Sequence, residues 1–316
     1  MADSPVNVRF KAAMTRGRRG AEPVDVDALA AEPAVVALSD DGDPVLGPAV
    51  MERVCRLAAR AGLVVSPHCE DSARALAAFA GGADPGFRPG EPFTNEPQYI
   101  RRDIAIAGRC GCRIHFSHVS TAASVTAILA GREAHGAECV TWEVTPHHLL
   151  LSAEDYEGEA VPLVNPPLRP RADREALRRA LLAGQVDAVA DDHAPHAAAE
   201  KAAGACGLIG LETTLGLVLS HFVGEGALSP ADAVRLMSVN PARIFGLPGG
   251  HLAPGARADL VLIDPAMEWT VDARRFRSLS RNTPYDGWRL RGRAVATYVA
   301  GRQVFAAEEF AARLSP

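Results

Sequence analysis

Short apolar runs alternate along most of the chain with segments whose apolar residues recur at helical spacing. The runs are Val6–Ala12, Ala34–Leu38, Leu63–Val65, Arg113–Phe116, Glu138–Val144 and Val186–Ala190. They are rich in Val, Ile and small apolar residues, the texture of parallel strands covered on both faces. Helices are expected between them over Pro48–Ala61, Glu96–Ala107, Thr121–His135 and Arg171–Ala183. Thr121 and Asp173 read as start signals; Gly62, Gly136 and Gly184 read as stops. Two more helices are expected over Leu211–Val223 and Ser229–Met237. Such alternation implies βαβ units. From about Gly246 the texture turns to short strands punctuated by Gly and Pro. The expected division is a barrel over 1–245 and a β-rich segment over 246–316.

Composition narrows the class. With 316 residues, 48% hydrophobic and 22% charged, the chain can bury a large core and is no disordered or fibrous sequence. A net charge of −5 argues against a basic nucleic-acid surface. No stretch is long and apolar enough for a membrane span, and the start lacks the apolar segment of a secretory signal. A cytoplasmic protein with six reduced cysteines is therefore expected. Only Lys11 and Lys201 are lysines, so almost no lysine is available for chemistry.

The most informative positions lie just beyond each apolar run. Ala34–Leu38 leads to Ser39-Asp40-Asp41-Gly42, and Leu63–Val65 to His68-Cys69-Glu70-Asp71. Arg113–Phe116 leads to Ser117-His118, Glu138–Val144 to His147-His148, and Val186–Ala190 to Asp191-Asp192-His193. Polar chemistry gathered at the C-terminal ends of successive parallel strands is the placement of a (β/α)8 active site. Neither a G-x-G-x-x-G turn nor a P-loop is present, which weighs against an open nucleotide-binding sheet. Imidazoles and carboxylates converging on one rim suit zinc without thiolates.

The series SDDG (39–42), HCED (68–71), SHVS (117–120), EVTPHHLLL (143–151), NPPLR (165–169) and DHAPH (192–196) resembles the bacterial type I dihydroorotases of the amidohydrolase superfamily. The resemblance runs from about Val6 to Phe305. It implies a distorted TIM-like barrel with two zinc ions, opening the cyclic amide of L-dihydroorotate reversibly to N-carbamoyl-L-aspartate in pyrimidine biosynthesis. On the matching positions, the resemblance makes Asp41 the bridging ligand, His68 and His118 ligands of one zinc, and Asp192 both ligand and proton shuttle. Asn165, His196 and the backbone at Gly207 take the places of substrate contacts. Hydantoinases and allantoinases, the alternative cyclic amidases, bridge their metals with a carbamylated lysine. No lysine stands at the matching strand end here, which favours Asp41.

The chain also departs from that family. It has no His before His68, hence no His-x-His metal pair, and no counterpart of the substrate-binding Arg and Asn that accompany it. By motif alignment the six runs correspond to strands three to eight, with the first two βα units missing. Three readings stay open: a fragment or mis-started enzyme, a natural shortened protein that closes its barrel in a homodimer or other assembly, and a non-catalytic subunit associated with aspartate transcarbamoylase. At most one zinc is expected to be held tightly, with little or no hydrolysis by the chain as it stands.

Overall fold

The protein is described by a computed structural model covering residues 4–70, 95–156 and 162–307. Asp71, the last residue of the HCED motif, lies outside the described residues. The chain divides into two compact units, Arg9–Val189, and Met1–Val8 together with Ala190–Pro316. The change of texture near residue 246 thus falls inside the second unit.

The first unit is a parallel α/β sheet. In chain order it contains β1 (Phe10–Ala12), α1 (Val26–Ala30), β2 (Val35–Leu38), α2 (Pro48–Ala61), β3 (Val64–Val65) and α3 (Glu96–Cys110). It continues with β4 (Ile114–Phe116), α4 (Ala122–His135), β5 (Val140–Val144), α5 (Pro146–Leu150), α6 (Arg171–Leu182) and β6 (Ala188–Val189). The strands lie side by side in sequence order, all parallel. Each expected strand is therefore present, trimmed at its ends where the chain turns into the rim loops. The short α1, capped by Asp25 accepting from the Ala28 amide, is not visible as a periodic pattern. Helix α3 runs past the expected Ala107 to Cys110, where Gly111 ends it at φ 63°.

Asp173 stands in the first turn of α6, as its reading as a start signal expects, but it does not cap that helix, whose N-cap position is Pro170. Its Oδ1 instead accepts the Ala122 amide at 2.8 Å, at the first turn of α4. Thr121 caps that same helix as expected, accepting from Ser124 N. A carboxylate suits either helix N-terminus, and packing of α4 beside α6 chose the neighbour's.

Period-two alternation sorts the strand residues. Ile114, Phe116, Val140, Trp142 and Val144 are all buried, and Trp142 stacks in register beside Phe116. The Trp142 indole donates to the Gln185 carbonyl at 2.9 Å. Alternation places His115, Thr141 and Glu143 on the opposite face. That face is the inside of a curl. Lys11 Nζ, from β1, lies 3.9 Å from Glu143 Oε1 on β5. Three strands separate them, and a flat sheet would hold those strands roughly 19 Å apart at the usual ~4.8 Å spacing.

In the second unit α7 (Ala198–Ala202) precedes α8 (Thr214–Val218), which widens into a π turn over Leu219–Val223. Next come α9 (Pro230–Val234), a second π turn over Arg235–Val239, and α10 (Asn240–Phe245). Ser229 caps α9, and the helical path runs on past the expected Met237 to Gly246, at φ 65°. The Gly/Pro-rich stretch forms an antiparallel sheet of β7 (Leu260–Thr270), β8 (Arg289–Val299) and β9 (Arg302–Ala306). Among the described residues no helix is long and apolar enough to cross a membrane. All six cysteines are free thiols.

The Lys11–Glu143 contact makes a pH-dependent prediction. Burial pushes the Glu143 carboxyl up, but the Lys11 ammonium and the His115 hydrogen bond outweigh it and hold its pKa at about 2. A carboxylate depressed in the folded state adds stability that is complete above the unfolded pKa of about 4.5 and fades as pH falls through about 2. Lys11→Met should destabilise the protein by ~1–3 kcal/mol at neutral pH, less than for a fully buried pair because Lys11 is partly exposed. Urea unfolding should show that penalty shrinking as pH is lowered from about 5 towards 2; a penalty independent of pH would refute the pairing.

Candidate metal centre

The turn after β2 presents two adjacent aspartates with opposite duties. Asp40 is fully buried, and its Oδ1 accepts the amides of Met14 and Thr15 at 2.9 and 3.0 Å. Its second oxygen takes the Thr15 hydroxyl. Asp40 is thus consumed in closing the turn after β1. The next side chain points the other way, and Asp41 Oδ1 lies 3.3 Å from His118 Nε2 and 3.6 Å from His68 Nδ1.

His68 follows β3 and His118 follows β4, and both rings are buried. His68 Nδ1 and His118 Nε2 are 3.1 Å apart, with the ring planes at 71°. Parallel neighbouring strands bring the two turns together, and a backbone bend aims the second ring. His118 sits at φ 37°, a left-handed conformation that costs a residue with a Cβ of order 1–3 kcal/mol. The following amide, Val119 N, is pinned to the Glu143 carbonyl at 2.9 Å, which holds that bend in place.

Three donor atoms therefore face a common point, with separations of 3.1, 3.3 and 3.6 Å. Zinc bonds of ~2.0–2.1 Å at the tetrahedral angle need ligand atoms roughly 3.3–3.4 Å apart. The triangle fits a divalent ion in size, and its two imidazoles and one carboxylate fit in chemistry. The charge state agrees. Burial alone would raise the Asp41 pKa, but hydrogen bonds and charge from His118 and His68 hold it far below the usual carboxylate range. That charge is lost once the histidines are neutral enough to ligate, but a carboxylate ionises below their titration range in any case, so Asp41 is an anion there too.

Asn165 completes this face: its side-chain amide meets the other His68 nitrogen, Nε2, at 3.1 Å. A group on the far nitrogen of a ligating imidazole fixes ring orientation and tautomer. His148 is spent elsewhere. Burial and neighbouring positive charge lower its pKa to about 3, so it is neutral, with Nε2 donating to the Pro166 carbonyl at 3.0 Å. Thr145 lies at its Nδ1, 2.8 Å away.

The remaining expected site residues, Asp192, His196 and Gly207, belong to the second unit. Asp192 has φ 52°; with His118 it is one of four residues other than glycine at positive φ among the described residues. His196 Nε2 donates to the Cys206 carbonyl at 2.9 Å. Gly207 has φ 147°, and a Cβ there would lie 2.7 Å from Ala194 Cβ and 2.8 Å from the Ala194 carbonyl oxygen, so no other residue fits without movement. Lys201 Nζ and Asn282 Nδ2 both donate to the Gly207 carbonyl, at 3.0 and 2.8 Å, tying the loop down.

Lys11 is a residue beside the site that sequence reasoning passes over. Besides Glu143 it reaches Ser66 Oγ at 3.0 Å and Ser117 Oγ at 3.4 Å, the residues leading into the two histidine turns. Its signal is a lone lysine inside an apolar run, in a chain with one other lysine.

The two aspartates are separable by experiment. Asp41→Asn should leave thermal stability near wild type and abolish tight zinc uptake. Asp40→Asn should cost roughly 1.5–3 kcal/mol of stability, through lost charge-assisted hydrogen bonds, while a folded fraction still takes up zinc. Metal analysis after dialysis, paired with thermal melts, distinguishes the two; the reverse assignment would sink the proposed division.

Residues 5–304 match the Amidohydrolase family. The chain is 42% identical over 311 residues to a dihydroorotase of Pelotomaculum thermopropionicum, covering 95% of this chain and 71% of that protein. It is 44% identical over 304 residues to a dihydroorotase of Anaeromyxobacter dehalogenans, covering 92% and 69%. Among solved structures, the L-hydantoinase (dihydropyrimidinase) of Arthrobacter aurescens is similar with a TM-score of 0.74 and 29% identity, over 86% of this chain and 63% of that one. The dihydropyrimidinase of Brevibacillus agri has a TM-score of 0.82 over 97% of this chain and 71% of that one; at 22% identity it speaks for the fold alone. By family match and by relatives above 40% identity, this chain belongs to the amidohydrolase family and, within it, to the dihydroorotases.

Proposed function

We propose that this chain performs dihydroorotase chemistry, the reversible ring opening of L-dihydroorotate to N-carbamoyl-L-aspartate, around a zinc ion held by Asp41, His68 and His118. The observation that carries the reading is the donor triangle of 3.1, 3.3 and 3.6 Å on motif positions shared with that family. In the same proposal the six parallel strands are strands three to eight of an eight-stranded barrel, completed by βα units outside this chain or by a homodimer or an aspartate transcarbamoylase partner. The location proposed is the cytoplasm.

A bound divalent cation supplies Lewis acidity, lowering the pKa of water towards 7 and polarising an amide carbonyl. The chain's own residues do the rest. Asp41 and the two imidazoles provide a pocket whose net charge suits a dication. Asn165 holds the His68 ring. Asp192 takes a proton from the attacking water as its oxygen bonds to the ring carbonyl carbon. It then delivers that proton to the ring nitrogen as the carbon–nitrogen bond breaks, and the water's second proton passes to solvent, so the products are a carboxylate and a ureido group. His196 and the Gly207 backbone, with Asn165, are assigned to the substrate carboxylate and ring amides.

Asp192 is the residue to test. Wild-type chain reconstituted with zinc is expected to hold one tightly bound ion and to open dihydroorotate slowly. Asp192→Asn should keep that ion and lose at least about 100-fold in rate, the lower end of what a positioned acid–base group contributes. Two tightly held ions would overturn the one-ion centre; an Asp192→Asn rate equal to wild type would overturn the proton-transfer assignment.

A further inference from the structure

A buried ionic network lies beside the two histidine turns. Arg169, the last residue of the NPPLR stretch, is 7% exposed. Its guanidinium pairs with the Glu70 carboxylate, itself buried, and its Nε donates to Ser120 Oγ at 2.9 Å. Glu70 is two residues beyond His68, and Ser120 two residues beyond His118. One side chain thus grips both turns at the same distance from each candidate ligand.

The grip continues on the far side. Ser120 Oγ accepts from Arg169 and donates to Glu96 Oε2 at 2.6 Å. Glu96, on the first turn of α3, also receives the amides of Ser120 and Thr121 at 3.2 and 3.1 Å and the hydroxyls of Thr121 and Ser124. The 120–121 segment is therefore clamped between a cation and a carboxylate in surroundings that exclude water, where each charge-assisted bond counts most. Asn165, four residues before Arg169 on the same stretch, meets the His68 ring itself. The stretch therefore holds the centre twice: at a ring nitrogen through Asn165, and at a side chain of each turn, Glu70 and Ser120, through Arg169.

We infer that Arg169 is a positioning residue which fixes the separation of the His68 and His118 turns, so that two imidazole nitrogens stand at ligating distance before any ion arrives; this rests on the metal reading above. The guanidinium is the group the geometry requires. It is planar and presents several donors in fixed directions, so it can meet a carboxylate and a hydroxyl at once. An ammonium is a single point of charge and satisfies one turn at the expense of the other.

The test compares wild type, Arg169→Lys, Ser120→Ala and Leu177→Ala; the last creates a cavity at a fully buried core position of α6 and serves as a stability control. Zinc affinity is measured by competition with a chromophoric chelator, and amide hydrogen exchange is monitored in the metal-free chain. Arg169→Lys is expected to weaken zinc binding about 10- to 100-fold, the usual effect of disturbing a ligand's support, and to speed exchange in segments 66–70 and 117–121. Ser120→Ala keeps the Glu70 pair and should give a smaller loss, with faster exchange confined to 117–121. Leu177→Ala should lower the melting temperature and leave zinc affinity unchanged. Wild-type affinity in both Arg169→Lys and Ser120→Ala would overturn the inference, as would an equal loss in Leu177→Ala. A wild-type chain that binds no zinc would overturn the metal reading and this inference with it, whereas a wild type that binds and variants that bind equally well would overturn this inference alone.

Discussion

The inner face of a curled parallel sheet has no room for an unpaired polar group, and this chain puts several there. Lys11, Ser66, His115, Ser117, Thr141 and Glu143 are mutually satisfied: Lys11 reaches the two serines and Glu143, and His115 joins Glu143 at 2.9 Å and Thr141 at 2.9 Å. Ser66, His115, Ser117, Thr141 and Glu143 are buried, and leaving any of them without a partner would cost several kcal/mol by transfer estimates; Lys11 reaches in from an exposed position on β1. The network can close only if β1 and β5 approach across the interior. The same closure that satisfies Lys11 and Glu143 therefore sets how far apart the rim turns of β2, β3 and β4 stand. Those turns carry Asp41, His68 and His118.

Above that floor, the centre is built by dividing labour between neighbours in sequence. Asp40 turns inward to close a loop, and Asp41, one residue on, faces the ring nitrogens. His68 faces the donor triangle through Nδ1 and Asn165 through Nε2. His118 needs a left-handed backbone to reach the triangle, and the pinning of Val119 to β5 maintains it. Groups that do not face the donor triangle, among them Glu70, Glu96 and Arg169, spend their charge on the backbone of the turns and on one another. Polarity at the strand ends thus has two layers, one that faces the donor triangle and one that bonds to the turns carrying it.

The order of strands, the helices between them and the polar character of the rim were legible in the amino-acid sequence. These are local properties: apolar runs of three to seven residues, a glycine where a helix must stop, and an Asp or His where a strand ends. The convergence of Asp41, His68 and His118 was also legible, because each follows its own strand and parallel neighbours bring successive strand ends together. Pairings between distant segments were not. Lys11 with Glu143 spans most of the sheet, Arg169 with Glu70 joins residues 99 apart, and Asp173 caps α4 rather than the helix it lies in. Periodicity says which face a side chain takes; it does not say what stands opposite. That depends on the curl of the sheet and the packing angle of helices, which are collective outcomes of the whole core. The sequence alone therefore determined where acids and imidazoles sit along the strands, and the tertiary structure alone decided which buried charges answer each other across the interior.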